Sequence, residues 1–232
     1  DYTKSEHHSE YIFDIEYQSG IGEGSTFTTA FFPNFSEMNE FFNITGAGQE
    51  YNNPTQELIS LFVPGDTRKE VTVGVPGGFY DADSVFHALP TSTNQTYTKK
   101  YFDSSPVRAD SKANWKVIRY ADVLLMYAEA LNENGKPQQA IPFLNQVRTR
   151  AGLEGYPNTM SQTETRDAIV LERRLELSFE GVRWFDLVRT GKAYEVMKDK
   201  GMAPYMTVFP IPLSQVQIIN DPTIFPQNPG YD

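Results

Sequence analysis

"RYADVLLMYAEALNENGKPQQAIPFLNQVRTRAGL", residues 119–153, decides the fold class of this chain. Leu124, Tyr127, Ala128 and Leu131 recur at helical spacing, Gly135 interrupts the run, and Pro137 opens a second one. Ala140, Leu144 and Val147 then recur in turn. The reading is a helical hairpin with an Asn-Gly-Lys-Pro turn, its first helix expected over residues 115–132. Pro142 lies too deep for a first-turn proline and predicts a kink. Leu124, Ala128, Leu131, Ala140 and Leu144 also fit tetratricopeptide spacing, with alanines where the two helices must approach closely. One such hairpin cannot bury its own apolar face, so it calls for neighbours.

Toward the C-terminus, a third helix is expected over residues 164–180, ended by Gly181. A short fourth follows over 183–189, ended by Gly191. Past Lys200, prolines alternate with aliphatics in "VFPIPLSQVQIINDPTIFPQNPGY", an extended tail. Toward the N-terminus, residues 10–17 place Tyr11, Phe13, Ile15 and Tyr17 on one face, the period of a half-buried strand. Residues 54–62 suit a short helix with Pro54 in its first turn and Leu58, Ile59 and Phe62 inward. Residues 69–75 and 96–102 look like further strands. Between them and the first strand, residues 18–53 show no clean period, and loops of that length often carry function.

The fold class is therefore mainly α: a tetratricopeptide-like hairpin plus further helices, packed with an irregular loop-rich region containing a few short β-strands. We read residues 1–232 as one domain, with a loop-rich ligand-site region at 1–112. The helical scaffold spans 113–200 and the Pro-rich tail 201–232.

The 232 residues include 20 basic and 30 acidic ones, a net charge of −10. Nucleic acid and anionic membranes need clustered Lys and Arg, so neither is an expected partner. The absence of cysteine excludes disulfides, thiolate metal sites and cysteine nucleophiles. No apolar run approaches the roughly 20 residues of a membrane span. The chain opens on Asp1 and runs straight into structured-looking sequence, which leads us to expect a processed or N-terminally incomplete chain.

Glu172, Glu176 and Glu180 stand at i,i+4 on the third helix, and paired carboxylates can serve a glycosidase. Arg173, Arg174, Arg183 and Arg189 interleave with the acids and Asp186 at helical spacing, however, so ion pairs that position packed helices are the expected role. Trp184 and Phe185 are expected in the core. His7 and His8 belong to a terminal tail, and His87 has no ligand partner at useful spacing. Residues 81–84, "DADS", lack the further ligands of a calcium loop. "GIGEG", residues 20–24, lacks the strand–helix context of a phosphate cradle. No metal and no cofactor is expected, and no enzymatic activity.

Aromatic residues crowd the long loop. Sugar rings offer apolar C–H faces to aromatic rings, while amides take their hydroxyls. "GAGQEYNNP", residues 46–54, combines Tyr51 with Gln49 and Asn52, and these with Phe31 and Phe32 are the candidate ligand contacts. Phe35, Phe41 and Phe42 are expected to form a small core beneath the loop.

Several segments together resemble the SusD/RagB family of glycan-binding outer-membrane lipoproteins. They are "RYADVLLMYAEALNENG" with "NQVRTRAGL", "LERRLELSFEGVRWFDLVRTGK", "FPIPLSQV" and "QNPGY". Upstream, "SEYIFDIEYQ", "NPTQELISLF" with "GDTRK", and "YTKKYFD" also look like the family's linking segments. The match runs in family order over most of the chain and corresponds to the family's C-terminal part. The resemblance implies non-catalytic capture of an oligosaccharide or other nutrient at the extracellular face of the cell outer membrane. It also implies nutrient delivery to a SusC-like TonB-dependent transporter, and a lipid anchor in an N-terminal region absent from this chain. A tetratricopeptide-type interaction scaffold that binds peptide or protein and no sugar is the alternative, and a glycoside hydrolase a more remote one.

Overall fold

The computed structural model describes residues 8–34, 48–74, 78–80, 85–88, 96–101 and 109–231. His7, Phe35, Phe41, Phe42 and the acidic loop at residues 81–84 lie outside these. The chain forms two compact units, Asp1–Glu180 and Gly181–Asp232.

Among the described residues, the first unit holds helices α1 (Phe27–Phe31), α2 (Gln56–Leu61), α3 (Arg68–Thr72), α4 (Tyr120–Glu133), α5 (Pro137–Arg150) and α6 (Gln162–Glu176). Its strands are β1 (Tyr11–Ile15), β2 (Val73–Gly74), β3 (Gly78–Tyr80), β4 (Phe86–Ala88), β5 (Tyr97–Thr98) and β6 (Trp115–Arg119). They pair as β1–β6, β2–β5 and β3–β4, each pair antiparallel. The chain is mainly helical with a few short strands, as its periodicity indicates.

The core is the α4–α5 hairpin closed by α6. Leu125, Ala128, Ala140 and Leu144 are wholly buried, with Ala121, Leu124, Val147, Ala168 and Ile169 around them. Each fully buried leucine contributes on the order of 2 kcal/mol. The alanines let the helices approach, and Gly135 turns the chain at φ 73°, a left-handed conformation that glycine adopts freely. Pro137 opens α5, and the helix runs on through Pro142, where one backbone donor is missing. At the start of α6, Ser161 Oγ accepts the Glu164 amide while the Glu164 carboxylate accepts the Ser161 amide, a reciprocal cap. Asn132 and Gln162 exchange side-chain-to-carbonyl hydrogen bonds at 3.1 and 2.7 Å, fastening the end of α4 to the start of α6.

Several expectations give way to tertiary context. Residues 115–119 are strand, not the first turns of the hairpin helix, because β1 pairs with them in the register Ile15↔Trp115 and Tyr11↔Arg119. Register shifts within β1 break its period of two. Phe13 and Ile15 are exposed, while Tyr11 and Asp14 are the better-buried positions. The strand expected over 69–75 begins as helix α3 and turns to strand only at Val73, because the Asp66 carboxylate accepts the Arg68 amide at the helix start. The strand expected over 96–102 is limited to Tyr97–Thr98 among the described residues. Pro54 precedes the cap of α2, where the Thr55 hydroxyl accepts the Leu58 amide. Helix α6 stops at Glu176, short of Gly181, and Phe179 takes a left-handed φ of 66°.

The second unit holds helices α7 (Arg183–Arg189), α8 (Ala193–Met197) and α9 (Leu213–Ile219). Leu187 of α7 is buried, but Phe185 is 69% exposed and Trp184 half-buried, so the core position on this helix is Leu187. The tail is not extended throughout, since α9 interrupts it and ends at Asn220 with φ 49°. Elsewhere side chains replace the backbone donors that proline lacks. Gln227 hydrogen-bonds both the amide and carbonyl of Ile211 at 2.7 and 2.8 Å, and Asn228 donates to the Phe209 carbonyl. The Tyr231 hydroxyl reaches the Val208 carbonyl, and its ring meets Tyr205 edge-on. "FPIP" and "QNPGY" are thus two sides of one clasp. No helix among the described residues is long and apolar enough to cross a membrane.

Candidate functional site

Helix α1 is five residues long, so most of its carbonyls lack an intrahelical partner. Residues 49–51 satisfy two of them, together with the carbonyl of the capping Phe32. The amide of Gln49 donates to the Thr29 carbonyl at 3.1 Å, that of Glu50 to Phe32 at 3.1 Å, and that of Tyr51 to Ala30 at 2.9 Å. Gly48 makes the approach feasible, because a Cβ there would lie 2.0 Å from the Phe32 carbonyl oxygen. On the far side, Thr98 Oγ donates to the Asn52 carbonyl at 2.6 Å and Thr96 Oγ to that of Pro54 at 2.9 Å.

Glu50 and Asn52 both take left-handed backbone conformations, φ 56° and 61°, which non-glycine residues adopt at some strain. Tyr51 stands between them with 59% of its surface exposed. Gln49 and Asn52 are exposed beside it. A fixed backbone therefore displays one aromatic ring and two amide side chains to solvent, which is the chemistry of an apolar face with hydroxyl partners around it. The other expected contacts lie deeper. Phe32 is 2% exposed and meets the turn through its carbonyl, which accepts the Glu50 amide, while Phe31 is half-buried.

Beneath the turn is an aromatic cluster that sequence reasoning missed. Tyr101 stacks on Trp115 at 5.2 Å and 17°, and Phe27 meets both rings edge-on at 5.2 and 5.1 Å. Tyr17 adds to Phe27 and Phe31 to Tyr101. These five rings come from four separated stretches of chain, only Phe27 and Phe31 sharing a helix, so no local signal joins them all.

The acidic ladder is buried and paired. Glu172, wholly buried, accepts from Arg68 at 2.8 Å, Arg148 at 2.7 Å and the Tyr156 hydroxyl at 3.3 Å. Asp66 takes the other side of the Arg68 guanidinium at 2.7 Å. Glu176 pairs with Arg119 and Arg150, and Glu180 with Arg119 at 2.8 Å and with Lys100. The partners are thus mainly residues of packed elements rather than the arginines interleaved on α6. One face of the helix points inward, where only another element can supply the cation. Arg173 and Arg174 accordingly reach away to Asp122 and Glu57.

Burial alone would raise the Glu176 carboxyl, but the Arg119 and Arg150 charges outweigh it and hold it at about 2. Burial works against the Arg68 charge, yet the Asp66 hydrogen bond and the Glu172 charge raise its pKa above the ordinary value. Burial lowers Lys100, partly offset by Glu180. A carboxyl held at about 2 carries no proton to donate near neutrality. Among the described residues, no three His, Asp or Glu side chains form a group fit to hold a metal. An open groove of about 640 Å³ lies along the hairpin, lined by Glu10, Tyr120, Leu124, Gln146 and Arg150 among others.

A sequence profile of the SusD family matches residues 87–231. Over 156 residues the chain is 36% identical to the SusD-like protein P38 of Formosa agariphila, covering 64% of this chain and 28% of that protein. Among solved structures, a laminarin binding SusD-like protein superposes with a TM-score of 0.72 at 30% identity, covering 98% of this chain and 51% of the other. Surface glycan-binding protein A from Bacteroides uniformis superposes with a TM-score of 0.70 at 25% identity, covering 97% of this chain and 50% of the other. The chain spans less than two thirds of the length of each of these relatives.

Proposed function

The chain belongs to the SusD family, and from that premise we propose that it captures oligosaccharides without transforming them, for delivery to a SusC-like TonB-dependent transporter. The observation that carries this reading is the turn at residues 48–52, where Tyr51 is exposed on a backbone pinned by its own amide and its neighbours'. Preorganisation of this kind reduces the ordering cost of binding. The ring stacks on the C–H face of a pyranose, and Gln49 and Asn52 take its hydroxyls. Phe31 and Phe32 hold the turn from beneath rather than meeting the ligand. Two solved relatives whose names state laminarin or glycan binding support the same ligand class.

Glu172, Glu176 and Glu180 serve the scaffold in this reading. Their pairing with Arg68, Arg119, Arg148, Arg150 and Lys100 supports a non-catalytic role. The protein acts at the extracellular face of the outer membrane, held there by a lipid anchor. Isothermal titration of the chain against an oligosaccharide panel that includes laminarin fragments tests the reading. Binding that Tyr51→Ala removes is the expected result; a panel with no binder sinks it.

A further inference from the structure

Lys100 and Arg119 lie in different segments, yet one carboxylate holds both. Arg119 donates to the two oxygens of Glu180 from Nε and Nη at 2.8 Å each, and Lys100 pairs with the same group. Both cations also take carbonyls at the end of α6: Arg119 that of Glu176 at 2.7 Å, Lys100 those of Glu176 and Ser178 at 2.8 and 3.0 Å. Glu180 reaches this point because the chain leaves α6 through the left-handed Phe179. Backbone strain of that kind persists only where the surroundings enforce it.

The neighbours of the two cations are the rings beneath the turn. Tyr101 follows Lys100 directly, Trp115 opens the strand that Arg119 closes, and the two rings stack. Phe27 rests against both and Phe31 against Tyr101. These phenylalanines are the two ends of α1, the helix whose carbonyls pin residues 49–51. Glu180 is therefore linked to Tyr51 through its ion pairs with Lys100 and Arg119, the chain that carries those cations to Tyr101 and Trp115, the stack of those two rings, and α1.

We infer that Glu180 is a positioning residue for the Tyr51 turn, the shared anchor that sets the aromatic floor on which α1 and residues 48–52 rest. The inference deepens the proposed function and rests on it for the ligand, but its direct readout needs no ligand. With the Glu180 carboxylate neutralised, the cations lose the side-chain charge they share and keep the Glu176 carbonyl, the stack loosens, and the turn opens more often.

Hydrogen exchange on Glu180→Gln, with Glu57→Gln as an exposed ion-pair control, measures this. Amides of residues 49–51 should exchange about tenfold faster, while those of the α4–α5 hairpin keep the parent's rates. The Glu57→Gln chain should match the parent throughout. Unchanged exchange at residues 49–51, or acceleration spread evenly over the chain, overturns the inference. Should Glu180→Gln lose its far-UV spectrum, Lys100→Met decides on the same two sets of amides. Laminarin-fragment binding is measured separately: a parent that binds nothing removes the ligand reading and leaves the exchange result to decide the positioning role.

Discussion

The Tyr51 amide donates to the Ala30 carbonyl at 2.9 Å, so the turn that exposes the Tyr51 ring is also the C-terminal cap of helix α1. Display and anchoring lie on opposite sides of one residue, which lets the side chain be removed without releasing the backbone. Tyr51→Ala should therefore leave the thermal midpoint within a degree or two, as expected of an exposed side chain. Oligosaccharide affinity should fall tenfold or more, about 1.4 kcal/mol, when the stacking ring is lost. Calorimetric titration beside a thermal melt separates the two; a fall in both together would mean that the ring supports the fold.

Gly48 tests the anchoring side. Its added methyl would meet the carbonyl oxygens of Phe32 at 2.0 Å and Pro33 at 2.7 Å, and backbone cannot step aside as a flexible side chain can. Gly48→Ala should destabilise the chain by about 2 kcal/mol and weaken ligand binding although it removes no contact atom. A urea midpoint equal to the parent's would show that the turn sits farther from α1 than described.

Glu172 is wholly buried, with Arg68, Arg148 and Tyr156 around it. Glu172→Gln leaves the buried Arg68 with Asp66 and a longer 3.5 Å contact to Glu176, and the Arg148 charge short of its carboxylate. Breaking a buried pair from one side costs roughly 3–5 kcal/mol, and urea denaturation should record a loss of that order. A loss below about 1 kcal/mol would mean that water reaches the guanidinium and screens it.

The hairpin was legible because Leu124, Ala128, Ala140 and Leu144 repeat at a spacing only a helix satisfies, and Gly135 and Pro137 punctuate the chain between them. Trp115 to Arg119 was not legible as strand, since its partner strand lies about a hundred residues upstream and no breaker separates it from α4. Helix α1 left no local signal either, because its carbonyls are satisfied by residues 49–51 across the long loop. The i,i+4 acids of α6 revealed a shared face but not who meets it. Arg68, Arg148, Arg150 and Arg119 are brought there by tertiary packing alone. Tyr51 could be named as a candidate from composition; the left-handed backbone of Glu50 and Asn52 that flanks it could not.

Acid should expose the ladder's contribution directly. Glu176 titrates at 4.5 when unperturbed and at about 2 in the folded chain, where the Arg119 and Arg150 charges overcome its burial. A depressed folded pKa contributes stability that is present in full above the unfolded value and disappears as pH falls through the folded one. Unfolding free energy should thus decline between about pH 4.5 and pH 2, with this carboxylate supplying on the order of 3 kcal/mol of the loss. Glu176→Gln removes the titration and leaves Arg119 and Arg150 short of an anion, so it should be less stable near neutrality yet flatter across that acid window. Urea midpoints of both chains, taken at intervals from pH 6 to pH 2, decide the matter. If the two curves run parallel through the acid limb, Glu176 is not the group whose protonation unlocks the packed helices.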